Sequence, residues 1–430
     1  MKVEEILVKH FGWTKQDLKE KAIVLQHLRH DKSEQEMMDK ALFYKNEFKL
    51  TKPEFDRMVR LMPAILFYDE ENVKHKTEFY EDLLKITKDE FIEILKVLPS
   101  AISYSEDSIR DKVEYYKAEF DISQSKLKEM IKLLPPILAY SLDNVKQKVD
   151  FYRKQFGLSK DDFSKMFKKM PSLLSLSEEN IADSANFYKQ EFNIKDKNFA
   201  KMIKVFPSLL GYSTETVKQK AKLYQRELGI SETEFAEIIT KMPTVFSLSD
   251  EHIKEKIQSC REEFNFSQKD FAEIVKKLPA TLTYSEGDIK QKHKQLQEMH
   301  VDASVIKKNP MILSAPANTL KIRYLILRQA TDREDILKRG WTTTSQHKTY
   351  ARLCFMINVG KKVSVAKLLE GEQRFYKDFG VTSDELIKKY KLTEDAIYSM
   401  QSTLDKGEIE EFNDAEKQYI TEEHGLKNGQ

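Results

Sequence analysis

The sequence predicts an all-α fold, an α-solenoid or superhelix of about eight to nine repeats with helical caps. Three observations carry this prediction. A proline recurs every 36 residues, a helix-capping residue follows each proline at a fixed distance, and apolar residues recur at helical spacing between prolines. Each repeat is expected to contain two α-helices and a short 3₁₀ turn.

Seven of the eleven prolines define the period of 36 residues. They are Pro63, Pro99, Pro135, Pro171, Pro207, Pro243 and Pro279. Proline fixes φ and lacks an N–H group, so it recurs this regularly only where a structural unit recurs. We therefore treat each proline as the first residue of a unit.

The first helix of each unit is expected to begin six residues after the proline, at an N-capping side chain. These residues are Asp69, Ser105, Ser141, Ser177, Ser213, Ser249 and Ser285. Apolar residues then recur at steps of seven and four, as in Val145, Tyr152 and Phe156, which places them on one helical face. Gly157 and Gly229 stand where this helix is expected to end.

In five units the second helix also begins at a capping residue. These residues are Thr87, Ser123, Ser159, Ser231 and Ser267. Thr87 and Ser231 are each followed by a glutamate at capping-box spacing. The helix is expected to end just before the next proline, because the residue preceding a proline avoids the α region.

Three regions follow from this register. Residues 1–26 form an N-terminal cap or half-repeat, residues 27–327 the repeat array, and residues 328–430 a C-terminal helical region that is first basic and then acidic. The last unit of the array is shortened, since only 31 residues separate Pro279 from Pro310.

Composition and motifs exclude several classes of protein. No stretch approaches 18 apolar residues, so no membrane contact is expected. Cys260 and Cys354 are the only cysteines, which fits a reducing compartment, and Cys260 is expected to fill the core. The first residues resemble neither a signal nor a transit peptide, which favours the cytoplasm, with an organelle matrix as the alternative. No catalytic or metal-binding signature occurs, so we expect no enzyme, no catalytic residue, no metal and no cofactor.

Positive charge recurs with the same period in two rows on the first helices. The first basic row, eleven residues after the proline, is Lys74, Arg110, Lys146, Lys218, Lys254, Lys290 and Lys321. The second basic row, two residues further on, is Lys76, Lys112, Lys148, Lys220, Lys256, Lys292 and Arg323. Ala182 and Ser184 interrupt both rows in one unit. A phosphate backbone is itself a periodic row of charge, so these rows predict a nucleic-acid contact, with a solvated helix face as the alternative.

A helix-end row stands three residues before the prolines. It consists of Arg60, Lys96, Lys132, Lys168, Lys204, Lys276 and Lys307. A cation in the last turn of a helix complements the helix dipole, and this explanation needs no ligand.

The C-terminal region has a strong charge asymmetry. Residues 303–369 carry 13 Lys or Arg against three acids, whereas residues 370–430 carry eight against 15. The basic segment adds further candidate nucleic-acid contacts: Arg328, Lys338, Arg339, Arg352, Lys361 and Lys362. The acidic tail is a candidate site for a protein partner.

The repeat resembles that of the mitochondrial transcription termination factor (mTERF) family. The stretches that carry the resemblance are Pro171 to Ser177, which reads PSLLSLS, and Phe156 to Ser159, which reads FGLS. It covers about residues 27–327. The resemblance implies a superhelix of two α-helices and a 3₁₀ turn per repeat, whose basic concave side binds double-stranded DNA or RNA in transcription termination, organelle gene expression or ribosome biogenesis.

Two functions remain open. The first is a monomeric solenoid that binds nucleic acid, with double-stranded DNA favoured over RNA, in transcription termination or regulation. The second is a protein-interaction scaffold without nucleic-acid binding. Pumilio-type RNA readers share the period, but no set of helix positions varies here as base-reading residues do. Tetratricopeptide arrays have a period of about 34 residues and small residues where these units have Phe and Tyr.

Overall fold

A computed structural model of the chain describes residues 2–28, 33–298, 301, 303–328, 345–393 and 395. All regular secondary structure within these ranges is helical, which confirms the all-α solenoid. Its contacts divide the chain into an N-terminal half, Met1–Tyr212, and a C-terminal half, Ser213–Gln430. This division falls inside the repeat array, where the sequence shows no boundary. The proposed boundaries after residues 26 and 327 stay predictions.

The N-terminal half contains three short helices followed by five units. The short helices are Val3–Phe11, Lys15–Glu20 and Ala22–Gln26. The first helices of the units are Glu34–Glu47, Glu70–Leu84, Glu106–Phe120, Leu142–Phe156 and Glu178–Glu191. The second helices are Lys52–Leu61, Lys88–Val97, Gln124–Leu133, Lys160–Lys169 and Asp196–Val205. The 3₁₀ turns are Pro63–Phe67, Pro99–Ser103, Pro135–Leu138, Pro171–Ser175 and Pro207–Gly211.

The C-terminal half continues the same pattern and then leaves it. The first helices are Thr214–Leu228, Asp250–Phe264, Glu286–Glu298 and Ala317–Arg328. The second helices are Glu232–Lys241, Gln268–Lys277 and Ala303–Lys308. The turns are Pro243–Ser247, Pro279–Thr283 and Pro310–Leu313. Among the described residues after the array, the helices are Gln346–Asn358, Val365–Leu368, Glu372–Phe379 and Ser383–Lys389.

The predicted caps form. The Ser105 side chain accepts a hydrogen bond from the backbone N–H of Ser108, and Thr87 and Ser231 make capping boxes with Glu90 and Glu234. Backbone angles at the ends of two first helices are left-handed, with φ of 60° at Gly157 and 67° at Gly229. The second helix Asp196–Val205 has no N-terminal side-chain cap, because the Lys195 side chain does not hydrogen-bond to the first turn. The prolines and caps therefore set the helix bounds as the sequence indicates.

A buried tyrosine joins each of four units to the next. It stands 17 residues after the proline, and its hydroxyl donates to a backbone oxygen in the 3₁₀ turn of the following unit. The bonds run from Tyr80 to Ala101 at 2.9 Å, from Tyr116 to Ile137 at 2.8 Å, from Tyr152 to Leu173 at 3.0 Å and from Tyr224 to Val245 at 2.9 Å. Cys260 takes this position in the unit of Pro243 and is 3% exposed, which confirms it as a core residue.

Candidate nucleic-acid interface

The two basic rows differ because of helical geometry. The residue ten positions after each proline points into the core, as Val145 does with 1% exposure. At about 100° per residue, the first basic row lies on one side of this inward direction. The second basic row lies about 60° to the other side, next to the following unit. The two rows therefore meet different surroundings.

The first basic row faces solvent, and aromatic rings of the preceding unit hold three of its cations. Lys74 Nζ lies 5.7 Å from the centre of the Phe43 ring, and the guanidinium carbon of Arg110 lies 5.0 Å from that of Phe79. Lys146 Nζ lies 5.7 Å from the centre of the Tyr115 ring. Such contacts position a cation over the ring face and leave its N–H groups accessible.

Few carboxylates compete for this row. Lys290 pairs with Glu286 at 2.5 Å. For Lys74, Lys146 and Lys254, no carboxylate lies within 4.0 Å in the part of the chain that the structure describes. Lys218 belongs to the same row and is half-buried. Lys74, Lys146 and Lys254 are therefore available to an external anion.

The second basic row is engaged inside the protein. Lys112 Nζ donates to the backbone oxygen of Leu138 at 2.7 Å, and Lys148 Nζ donates to that of Leu176 at 2.7 Å. Both acceptors belong to the next unit, and burial lowers the pKa of Lys112. Further members make contacts of the same kind: Lys76 to the Glu106 carboxylate, Lys220 to the Leu248 oxygen and Lys292 to the Ala315 oxygen.

The two basic rows are therefore not equivalent. Lys112 and Lys256 are each only 5% exposed, so neither amine reaches a phosphate without leaving its place in the fold. The interruption at Ala182 and Ser184 persists, and Ser184 is buried. The second basic row acts first as a link between units, and a nucleic-acid contact by its exposed members stays a prediction.

The helix-end row also links units, through ion pairs. Its lysines reach the capping carboxylate of the preceding second helix: Lys96 to Glu54 at 2.9 Å, Lys132 to Glu90 at 2.6 Å, Lys204 to Asp162 at 2.8 Å and Lys276 to Glu234 at 2.6 Å. Hydrogen bonds from lysine lower the pKa of these four carboxyl groups to about 2. The row therefore has a structural partner in addition to the helix dipole.

Arg352 is not a surface residue, which corrects its assignment to the nucleic-acid contact. It is 0% exposed, and its guanidinium lies 4.0 Å from the centre of the Phe375 ring. The same group donates to the backbone oxygens of Leu368 and Glu370 and pairs with Glu372 at 3.0 Å. Arg352 therefore holds the C-terminal helices together.

The other C-terminal candidates are divided. Lys361 and Lys362 are exposed just after the helix Gln346–Asn358. Arg323 is half-buried, and burial lowers the pKa of its guanidinium. The remaining candidates have side chains that lie outside the described residues: Lys321, Arg328, Lys338 and Arg339.

Sequence reasoning missed one further basic position, 18 residues after the proline. Four units have a cation there: Lys117, Arg153, Lys189 and Arg261. The Nε atoms of Arg153 and Arg261 are buried and have no hydrogen-bond partner among the described residues. Each side chain as a whole is only half-buried, so its terminal nitrogens rather than the buried Nε would meet a phosphate, and both arginines are added as candidate contacts. Their recurrence 18 residues after the proline is the sequence signal by which these positions could have been found.

We also searched the described residues for metal sites and membrane-spanning helices. In the described ranges no three or more His, Cys, Asp and Glu side chains are grouped as metal ligands would be. No described helix combines the length and the apolar character that crossing a membrane requires. The periodic basic surface is therefore the main candidate for function.

Comparison with known families decides the identity of the repeat. A family model described as mTERF matches residues 6–156, 152–265 and 250–335. The chain belongs to the mTERF family. The mTERF match confirms the resemblance and extends it to the N-terminal helices before residue 27. A search of curated proteins finds no match.

Proposed function

We propose that this mTERF protein binds double-stranded nucleic acid through the first basic row, with DNA favoured over structured RNA, and acts in transcription termination or regulation. The observation that carries the proposal is that the three basic rows have different surroundings. The second basic row and the helix-end row make contacts between units, whereas Lys74, Arg110, Lys146 and Lys254 face solvent. Family membership supports the same function.

The spacing of the first basic row fits a duplex. In the C-terminal half the first helices Thr214–Leu228, Asp250–Phe264 and Glu286–Glu298 pack against one another in order, and packed helices lie about 8–10 Å apart. A duplex rises about 3.4 Å per base pair along each strand, so one cation meets the backbone about every three base pairs. Such contacts read the backbone rather than the bases.

Salt dependence tests this proposal. Counterion release makes the logarithm of the binding constant fall with the logarithm of salt concentration, by about 0.9 per phosphate contacted. Four or five contacts from the first basic row predict a slope of about −4 for a DNA duplex, measured by fluorescence anisotropy. The same measurement on an RNA duplex shows which of the two nucleic acids binds more tightly. A slope near zero, or no binding at low salt, contradicts the proposal.

A scaffold function remains the second candidate because of one apolar surface. Four second helices expose an apolar residue two positions before the proline: Leu61 at 46%, Val97 at 50%, Leu133 at 80% and Val205 at 53%. A protein partner that survives nuclease and is lost in Leu133→Glu supports the scaffold. Pull-downs without a nuclease-resistant partner contradict it.

A further inference from the structure

The unit of Pro243 lacks the tyrosine that joins each of four other units to the next. In two of these units the ring is fully buried and packs against a phenylalanine eleven residues later, with ring centres 4.8 Å apart for Tyr80 and Phe91 and 5.5 Å apart for Tyr224 and Phe235. Cys260 stands at this position and is much smaller than a tyrosine. The exchange removes a ring and a hydroxyl from the core.

A cavity of about 240 Å³ lies beside Cys260. Its walls include Phe271 and Thr281, which are 11 and 21 residues after Cys260. These are the positions of the ring that a tyrosine would stack on and of the residue whose backbone oxygen its hydroxyl would meet. The cavity therefore retains the surroundings of the missing side chain.

The rest of the cavity wall suits an aromatic guest. Phe264 and Ile289 supply apolar surface, and Lys292 adds a polar group whose amine already donates to the Ala315 oxygen. Burial raises the pKa of the Cys260 thiol to about 12, so the thiol is uncharged at neutral pH, and the wall also includes the Asp288 carboxylate. An apolar cavity of about 150 Å³ in another protein takes up benzene, so this one has room for a substituted ring.

We infer that the cavity beside Cys260 is a binding site for a small neutral phenol. The ring stacks on Phe271, and the hydroxyl donates to the backbone oxygen of Thr281, as Tyr80 and Tyr224 do at the equivalent positions of their units. The site shares Lys292 with the second basic row, but none of the first basic row lines it, so the inference does not depend on nucleic-acid binding.

Thermal unfolding of the full-length protein with p-cresol, which is the tyrosine side chain as a free molecule, tests the site. Millimolar p-cresol is expected to raise the Tm by at least about 1–2 °C, because a ligand that binds only the folded state stabilises it. Toluene, which lacks the hydroxyl, is expected to bind about fivefold more weakly. Equal binding of both molecules overturns the assignment to phenols.

Cys260→Tyr is the matched variant, since it places the ring and hydroxyl on the chain. It is expected to raise the Tm and to abolish the response to p-cresol. An equal response in the variant and the natural protein, or no response in the natural protein, overturns the proposal.

A second measurement on the natural protein decides the question even if the variant does not fold. Bound p-cresol is expected to slow alkylation of Cys260, followed by mass spectrometry of its peptide. Cys354 is the internal control, because it is 0% exposed and lies outside the cavity wall. Equal slowing of both cysteines, or slowing of neither, overturns the site.

Discussion

The hydroxyl of Tyr116 donates a 2.8 Å hydrogen bond to the backbone oxygen of Ile137, which lies in the turn of the next unit. The same residue position makes the same bond in three other units. Because the tyrosine is fully buried, water does not replace the bond if the hydroxyl is removed. The tyrosines therefore fix how successive units stack.

Tyr116→Phe is expected to lower the free energy of unfolding by about 1–2 kcal/mol, because the Ile137 oxygen is left buried and unpaired. Urea denaturation measures this change. Tyr44 is a matched control: it occupies the equivalent position and is equally buried, but its hydroxyl has no hydrogen-bond partner in the described residues. Tyr44→Phe is expected to be neutral or slightly stabilising. Equal losses in both variants would show that the bond is not the cause.

Glu90→Gln is expected to remove a pH-dependent contribution to stability. Hydrogen bonds from Lys128 and Lys132 lower the pKa of Glu90 to about 2, compared with 4.5 for a free glutamate. The contribution is therefore present above about pH 4.5 and is lost as the pH falls towards 2. Because these side chains are partly exposed to solvent, it stays below about 1 kcal/mol.

Urea denaturation at pH 6, 4, 3 and 2 checks this prediction. The difference in stability between natural protein and Glu90→Gln is expected to shrink as the pH falls. Glu78→Gln, on the exposed face of a first helix, is the control and is expected to show no such trend. A difference that stays constant with pH would contradict the ion-pair explanation.

Arg352→Leu is expected to destabilise the C-terminal helices by about 3 kcal/mol, because it leaves the backbone oxygens of Leu368 and Glu370 without their buried donor. Thermal unfolding followed by circular dichroism measures the loss. The double variant Lys361→Ala and Lys362→Ala removes exposed cations and is expected to keep the stability unchanged. If Arg352→Leu instead leaves the protein stable and weakens nucleic-acid binding, the structural role is wrong.

Much of the fold follows from the sequence because proline and the capping residues act locally. Pro63 and Ser105 determine where helices begin whatever lies around them. The candidate site was less predictable. Lys112 and Lys74 look alike in sequence, yet one donates to Leu138 in the next unit and the other lies exposed over Phe43.

The reason is that the direction of a side chain on a helix, and the neighbour it meets, depend on how units stack. Arg352 shows the same limit, since a basic segment in the sequence does not reveal that one arginine lies among carbonyl groups in a core. The exchange of tyrosine for Cys260 was visible in the sequence, but the cavity beside it required the positions of Phe271 and Thr281.

Two triple variants in the N-terminal half test the central claim most directly, because they remove equal charge from different rows. The first changes Lys74, Arg110 and Lys146 to Gln in the first basic row. The control changes Lys96, Lys132 and Lys204 to Gln in the helix-end row, whose lysines are paired with carboxylates. Circular dichroism establishes that both remain folded.

The decisive measurement is the salt dependence of binding to a DNA duplex. The first-row variant is expected to make the slope shallower by about 2.7, since each lost phosphate contact removes about 0.9. The helix-end variant is expected to change the slope by less than about 1. Equal changes in both variants, or no change in the first, would contradict the claim that the first basic row holds the nucleic acid.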